Sequence, residues 1–243
     1  MRIPRFFSTD ALQPTSDMEL TGAVFHHAVR VLRLQPGARL VLFDGSGREF
    51  DAELQVIHRH GARVRLDSAR TCHRESPLSI TLWQGISRGE RMDYALQKAV
   101  ELGVNTIVPV LAGRSQGGRG ERLEKRLKHW QGVVIAACEQ CGRTILPALL
   151  DPLNLAEALH KPPAGTRLLL DPTASAGLRE YPPPTDATLT LLIGPEGGLG
   201  EAEIHAAREA GFRGVRLGPR VLRTETATAA ALSAIQTLWG DLG

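Results

Sequence analysis

Residues 189–226, LTLLIGPEGGLGEAEIHAAREAGFRGVRLGPRVLRTET, set two glycine-rich turns between short apolar segments. Gly194, Gly197, Gly198 and Gly200 follow the apolar run 189–193, and Gly218-Pro219-Arg220 follows the segment 214–217. A strand that stops in glycines and restarts as a helix leaves bare backbone N–H groups beside a helix N-terminus. An adenine, a ribose or a carboxylate can sit there. Two such turns close together point to one ligand held by two strand ends. A dinucleotide fingerprint fails, because Glu196 stands where glycine is needed, and the Gly-Lys-Ser/Thr of a P-loop is absent. Glu196 would repel a phosphate-rich ligand, so a cationic or zwitterionic cofactor fits better. A purely structural αβ turn is the plainer alternative, and it accounts for one glycine cluster more easily than for two.

Other constellations are weaker. Arg220, Arg223, Thr224 and Glu225 sit in the second turn and open the last helix, where Thr224 suits an N-cap and Glu225 a first-turn acid. Ser87-Arg88-Gly89-Glu90-Arg91 lies between a strand end and a helix start, a place for an anionic substrate. His26-His27 precedes Arg30 and Arg33, which share a helical face that either grips phosphate or is simply solvated. Glu139 and Arg143 lie near another helix end. Cys138-Glu139-Gln140-Cys141 has no second ligand pair for a metal, and it closes a helix rather than opening one, so two small helix residues are the favoured reading over redox chemistry.

Those groups need elements to position them. The 243 residues suffice for one large domain or two unequal ones. Residues 1–72 read as a β-rich unit. Segments 38–43 and 48–57 flank the hairpin turn Asp44-Gly45-Ser46-Gly47, and 62–66 alternates after His60-Gly61. Segment 25–34 reads as a helix ending before Pro36-Gly37. With 3–7, this suggests a small barrel with one inserted helix. Beyond residues 71–77 the pattern changes. Strands are expected at 78–84, 105–111, 167–170, 189–193 and 214–217. Helices are expected at 91–102, 121–140, 153–160, 201–210 and 225–239. That alternation predicts an α/β fold with a parallel sheet. Residues 181–185, with three prolines, form a surface connection.

Aromatics make up only 5% of the chain, so base stacking is not the obvious mode of recognition. The formal charge of +3 is uneven. Residues 1–147 hold 21 of 29 basic and 15 of 26 acidic residues, a net of +6, and the rest carries −3. The larger part suits a polyanion and the glycine-rich end does not. Only Lys98, Lys125, Lys128 and Lys161 are lysine. The arginine bias suits phosphate, although genome composition produces the same bias. No apolar run approaches the roughly 20 residues of a membrane helix. The N-terminal segment lacks a signal-peptide core, and three cysteines make no disulfide framework. The expected compartment is the cytoplasm.

The motifs RIPRFF, HHAVRVLRLQPG, LFDGSGREFDAEL, ISRGERMDYALQKAVELGV, AACEQCGR, LLIGPEGGLGEAE, LGPRVLRTETA and WGDLG, in that order, resemble the RsmE family. These are bacterial S-adenosylmethionine-dependent methyltransferases that modify N3 of a uridine in the decoding region of 16S ribosomal RNA. The resemblance spans the whole chain. It implies a PUA-like RNA-binding β-barrel over residues 1–72 and a SPOUT methyltransferase domain over 73–243, with a C-terminal trefoil knot and a homodimeric state. It implies S-adenosylmethionine contacts from Leu169, Leu170, Ile193, Gly194, Pro195, Glu196, Gly197, Gly198, Leu217, Gly218, Val221, Leu222 and Arg223. RNA contacts are expected from Arg5, His27, Arg30, Arg33, Arg88, Arg91 and Arg143, and no metal is expected. Gly200 stands where the family often has a Ser or Thr helix cap.

Uridine N3 carries a proton at neutral pH and is then a poor nucleophile. An arginine beside the ring lowers that pKa, and Arg223 is the first candidate; Glu225 is the candidate base. The target base must be unpaired or flipped from its stack. Three rivals stay open at this point: ribose 2′-O methylation, a non-catalytic RNA-binding protein, and a thiol redox protein.

Overall fold

The computed structural model describes residues 3–115 and 121–243. The chain divides into two compact units, Met1–Glu75 with Cys138–Leu146, and Ser76–Ala137 with Pro147–Gly243.

The first unit contains β1 (Arg5–Phe7), β2 (Asp17–Leu20), α1 (Gly22–Phe25), β3 (Arg39–Phe43), β4 (Arg48–Ile57) and β5 (Ala62–Thr71). They form a five-stranded sheet in the order β1-β3-β4-β5-β2. The β1–β3 pairing is parallel and the others are antiparallel. The expected barrel is thus open in hydrogen-bonding terms, with β1 and β2 as edges. Alternation carries the core: Ala62, Val64 and Leu66 of β5 are buried while Arg63 and Arg65 point to solvent. The buried set packs with Phe6, Leu12, Leu40, Leu42, Phe50 and Leu54. Each such large side chain contributes about 1.5–3 kcal/mol when fully buried. The β3–β4 turn is held by Asp44, whose carboxylate accepts hydrogen bonds from Ser46 N (3.1 Å) and Leu12 N (2.9 Å).

Two details differ from the sequence reading. Strand β2 was not expected, because Asp-Met-Glu-Leu carries no β-branched residue; pairing with β5 makes it a strand. The helix expected over 25–34 is the short α1 followed by a π-helical turn, His26–Val31, and Arg33 has φ +54°. The wide turn is closed by Leu32 N donating to His27 O (2.9 Å). It buries Ala28 and leaves His26, His27, Arg30 and Arg33 exposed.

The second unit runs β6 (Ser79–Gly85), α2 (Glu90–Glu101), β7 (Thr106–Leu111), α3 (Glu121–Cys141), β8 (Ala148–Leu149), β9 (Leu153–Asn154), α4 (Leu155–His160), β10 (Thr166–Leu170), β11 (Thr188–Ile193), α5 (Glu201–Glu209), β12 (Arg213–Val215) and α6 (Thr224–Trp239). The last turn of α3 is counted with the first unit. The strand order is β12-β10-β11-β6-β7-β8, with β9 also on β7, and every pairing is parallel. Strand β11 is buried from Leu189 to Ile193 without alternation, as a strand covered on both faces must be. Helix α2 buries Met92, Ala95, Leu96, Ala99 and Val100, one face at helical spacing. It packs on α6 and stops at Gly103, φ +78°. Helix α4 starts later than expected because Asn154 caps it, its Oδ1 accepting from Ala156 N at 2.9 Å. Trp83, Val108, Leu169, Leu192 and Phe212 belong to one core cluster, with the Trp83 and Phe212 rings 5.5 Å apart. Among the described residues no helix is long and apolar enough to cross a membrane.

Candidate active site at the strand ends

Strands β10, β11 and β12 end side by side, since Leu169 pairs with Leu192 and Leu170 with Val215. Three loops leave these ends: residues 171–177, 194–200 and 216–223. Together they enclose a cavity of about 350 Å³. It lies where ligands bind in open α/β sheets, outside the carboxyl ends of the strands. Its size falls within the roughly 300–1,000 Å³ of small-molecule sites.

The walls are fixed from behind. Gly198 N donates to Pro195 O (2.8 Å), which tightens the first turn, and Gly198 and Gly218 have φ +69° and +74°, conformations that other residues rarely take. Thr224 Oγ1 donates to Gly194 O (2.8 Å) and accepts from Gln84 Nε2 (3.1 Å), and Thr228 Oγ1 donates to Gln84 Oε1 (2.7 Å). These buried polar contacts tie β6, the first glycine turn and α6 together. Glu196 Oε1 accepts from Arg88 N (3.0 Å) and Arg91 Nη1 (2.9 Å), which anchors the turn to the start of α2. Arg114 Nη1 donates to Gly197 O (2.9 Å). Gly200 caps α5, and its N–H donates to Glu203 Oε2 (2.8 Å).

Of the residues assigned to the cofactor from sequence, Leu170, Ile193, Gly194, Pro195, Glu196, Gly197, Gly198, Leu217, Gly218, Val221 and Leu222 line the cavity. Leu169 does not: adjacent residues of a strand point to opposite faces, and Leu169 is buried in the core instead. Arg223 is the exposed N-cap of α6 and lies outside the lining. Thr224 is therefore the first helical residue rather than the cap, and its hydroxyl is spent on Gly194. Glu225 follows it. Its side chain is 15% exposed, its Oε1 is 4.0 Å from Arg91 Nε, and its Oε2 is buried with no hydrogen-bond partner.

The cavity also contains residues that the sequence reading did not assign to the cofactor, among them Asp171, Thr173, Arg216, Arg220 and Ala227. Asp171 accepts from Thr173 N (2.8 Å) and Arg208 Nη2 (2.7 Å). Burial pushes its carboxyl up, but the Thr173 and Arg208 hydrogen bonds outweigh this and hold it below the usual range. The available signal was an acid directly after a parallel strand, at the edge where the other two loops emerge.

The expected RNA contacts fall into two groups. His27, Arg30, Arg33, Arg88 and Arg91 are exposed. Arg5 and Arg143 are committed inside the first unit. Arg5 pairs with Glu49 and donates to Gly142 O (3.1 Å), and Arg143, 3% exposed, pairs with Glu75. Arg70 Nε (2.7 Å) and Arg74 Nη1 (3.2 Å) also reach Glu49. Burial raises the Glu49 carboxyl, yet the hydrogen bond and charge of Arg5, with Arg70 and Arg74, bring it down to about 2. The two cationic side chains are thus structural ion pairs, a role that charge pattern alone does not reveal.

Cys138 and Cys141 are free thiols at the end of α3. Burial pushes Cys138 up to about 12, so it stays protonated and unreactive. Among the described residues no cluster of His, Cys, Asp and Glu could hold a metal ion.

Comparison with known proteins agrees with this layout. Residues 74–236 match the RNA methyltransferase domain family and residues 20–67 the RNA methyltransferase PUA domain family. Ribosomal RNA small subunit methyltransferase E of Buchnera aphidicola (subsp. Schizaphis graminum) is 35% identical, covering 99% of this chain and 98% of that protein. The Neisseria gonorrhoeae protein of the same name, crystallised with S-adenosyl methionine, is 42% identical with a TM-score of 0.92 over 100% of both chains. A Legionella pneumophila structure in complex with the bound cofactor SAM is 40% identical with a TM-score of 0.95, again over 100% of both.

Proposed function

The chain belongs to the ribosomal RNA small subunit methyltransferase E family, and from that membership we propose that it uses S-adenosylmethionine to methylate N3 of a uridine in the decoding region of 16S ribosomal RNA. The observation that carries the reading is the cavity built by two glycine turns at three parallel strand ends. Its residues fit the cofactor. Leu170, Ile193, Leu199, Ile204, Leu217 and Leu222 offer apolar surface for an adenine, the turns offer backbone groups for the ribose and carboxylate, and Glu196 suits a positive sulfonium. S-adenosylmethionine, when bound, supplies an electrophilic methyl group.

The protein's own task is to make N3 nucleophilic. Glu225 is suited to accept the N3 proton, because one carboxylate oxygen lacks a partner beside the cavity wall formed by Thr224. Arg223, one residue earlier and exposed, offsets the negative charge left on the deprotonated base. Arg91, close to both Glu196 and Glu225, keeps two neighbouring carboxylates compatible.

Residues 1–72 position the RNA, with His27, Arg30 and Arg33 on phosphates, and residues 73–243 carry the chemistry, with Arg88 and Arg91 beside the site. The second domain is a SPOUT domain with a trefoil knot. The family membership supports this; a Cβ placed on Gly85 would lie only 2.6 Å from Gly194 C, because β6 and β11 are paired neighbours up to Gln84 and Ile193. The active form is a homodimer that includes α6. On that helix Ala230 and Ala234 remain half-buried, while Ala227 and Ala231 are already covered within the chain. The enzyme acts in the cytoplasm, where its RNA is.

The test is methylation of 16S ribosomal RNA with labelled S-adenosylmethionine, followed by mass spectrometry of the nucleosides. 3-Methyluridine is expected. Label on a ribose 2′-oxygen or on another base would refute the assignment to N3.

A further inference from the structure

Helix α3 presents a basic row beside the proposed site. At about 100° per residue, Arg122, Arg126 and His129 fall within a sector of roughly 60°, with Lys125 next to it. Leu123, Leu127, Trp130 and Val134 lie on the adjoining face, where Trp130 and Val134 are buried. Glu124 lies to the other side and Glu121 lies about 40° beyond Lys125, so no acid falls within the Arg122–Arg126–His129 sector itself. Arg122 and Lys125 are exposed, and among the described residues neither has an ion-pair partner.

Two contacts fix this row relative to the cavity. Arg126 stacks over the Trp130 ring at 4.7 Å and donates through Nη2 to Ser87 O (2.7 Å), the residue before Arg88. His129 Nε2 lies 2.8 Å from Asp93 Oδ2 on α2. Burial pushes Arg126 below the usual arginine range, and among the charges close enough to act on it are Asp93, Arg122 and Glu196 of the cavity wall. The row therefore continues the cationic edge formed by Arg88 and Arg91, and extends about 10 Å along α3 from residue 122 to residue 129.

We propose that this face of α3, led by Arg122 and Lys125, binds the phosphates of the RNA strand that carries the target base. The inference rests on the RNA methyltransferase reading above and adds a second contact region within the catalytic domain, separate from Arg30 and Arg33. Exposed, unpaired arginine and lysine next to a fixed guanidinium suit a flexible polyanion, whereas an apolar partner would have to desolvate them.

The test compares Arg122→Glu/Lys125→Glu with the wild type, using a 16S ribosomal RNA transcript and intact 30S subunits. Filter binding is measured against salt, methyl transfer is followed for KM and kcat, and calorimetry reads S-adenosylmethionine affinity. Two lost phosphate contacts should flatten the salt slope by about 1.5, at roughly 0.7–0.9 per contact. The KM for RNA should rise at least about tenfold, while kcat at saturating RNA and cofactor affinity stay within about twofold. Arg122→Lys should restore most of the slope, since phosphate binding needs the charge. Unaltered KM and slope would overturn the proposal. So would loss confined to 30S subunits, which would assign the face to an acidic protein of the particle, or loss of cofactor affinity, which would make the row structural. A wild type that binds RNA but transfers no methyl group would sink the methylation reading instead, with the salt slopes still deciding this one.

Discussion

Replacing Gly85 with alanine should damage the cavity from a residue that does not line it. Gly85 ends β6 directly behind the first glycine turn. An added Cβ would lie 2.6 Å from Gly194 C and from Pro195 Cδ, and closer still to Pro195 N. Ordinary contact begins at 3.4 Å, so the 194–195 backbone, and Pro195 N above all, must yield by about 1 Å. It cannot move freely, because Gly194 O is held by Thr224 and Glu196 by Arg88 and Arg91. Overpacking of this kind costs about 1–3 kcal/mol of stability. A wall displaced by nearly 1 Å should cost on the order of 100-fold in turnover. Calorimetry with S-adenosylmethionine and a thermal melt separate the two effects. Gly132→Ala serves as control, since that glycine is exposed in α3 with open space at its Cβ, and alanine there should stabilise by about 0.5–1 kcal/mol. A folded Gly85→Ala protein with wild-type cofactor affinity and turnover would refute the argument that this close passage shapes the site.

Glu49 should govern acid stability of the first unit: its carboxyl is held at about 2 against an ordinary 4.5, so its contribution is full above about pH 4.5 and is lost as pH falls through about 2. That shift corresponds to about 3 kcal/mol; urea melts of Glu49→Gln should show this loss at pH 7 and a flatter dependence below pH 4.5, and an unchanged midpoint would contradict the linkage. Arg30→Ala/Arg33→Ala should weaken RNA binding and flatten its salt dependence by about 1.5 while leaving S-adenosylmethionine affinity intact, whereas Arg223→Ala should bind RNA and cofactor but transfer methyl slowly. Wild-type turnover in Arg223→Ala would remove that residue from the mechanism. Native Cys138 should resist alkylation at pH 8, where its thiol remains protonated, with labelling read by mass spectrometry; rapid modification would reopen redox chemistry.

The sequence by itself determined the two-part organisation of elements, the parallel sheet and the two glycine turns that come to line the cavity. These are local properties. Apolar runs of strand length, helical periodicity and glycines that free the backbone can all be read from neighbours in the chain. Strand β12 shows where that reading stops: the segment 214–217 looks like one strand, yet its pairing with β10 ends at Val215, and Arg216, bridged to Gly177, joins the cavity wall with Leu217. Only tertiary structure decided which side chains face the ligand space. It turned Leu169 to the core while placing Leu170 in the wall, because one residue of register reverses the face. It brought Asp171 and Thr173 into the same cavity from a loop remote in sequence. It spent Arg5 and Arg143 on Glu49 and Glu75, partners 44 and 68 residues away. Residue type and spacing announce that a charge exists, but whether it meets solvent, a ligand or a buried counter-charge depends on long-range packing that local pattern does not encode.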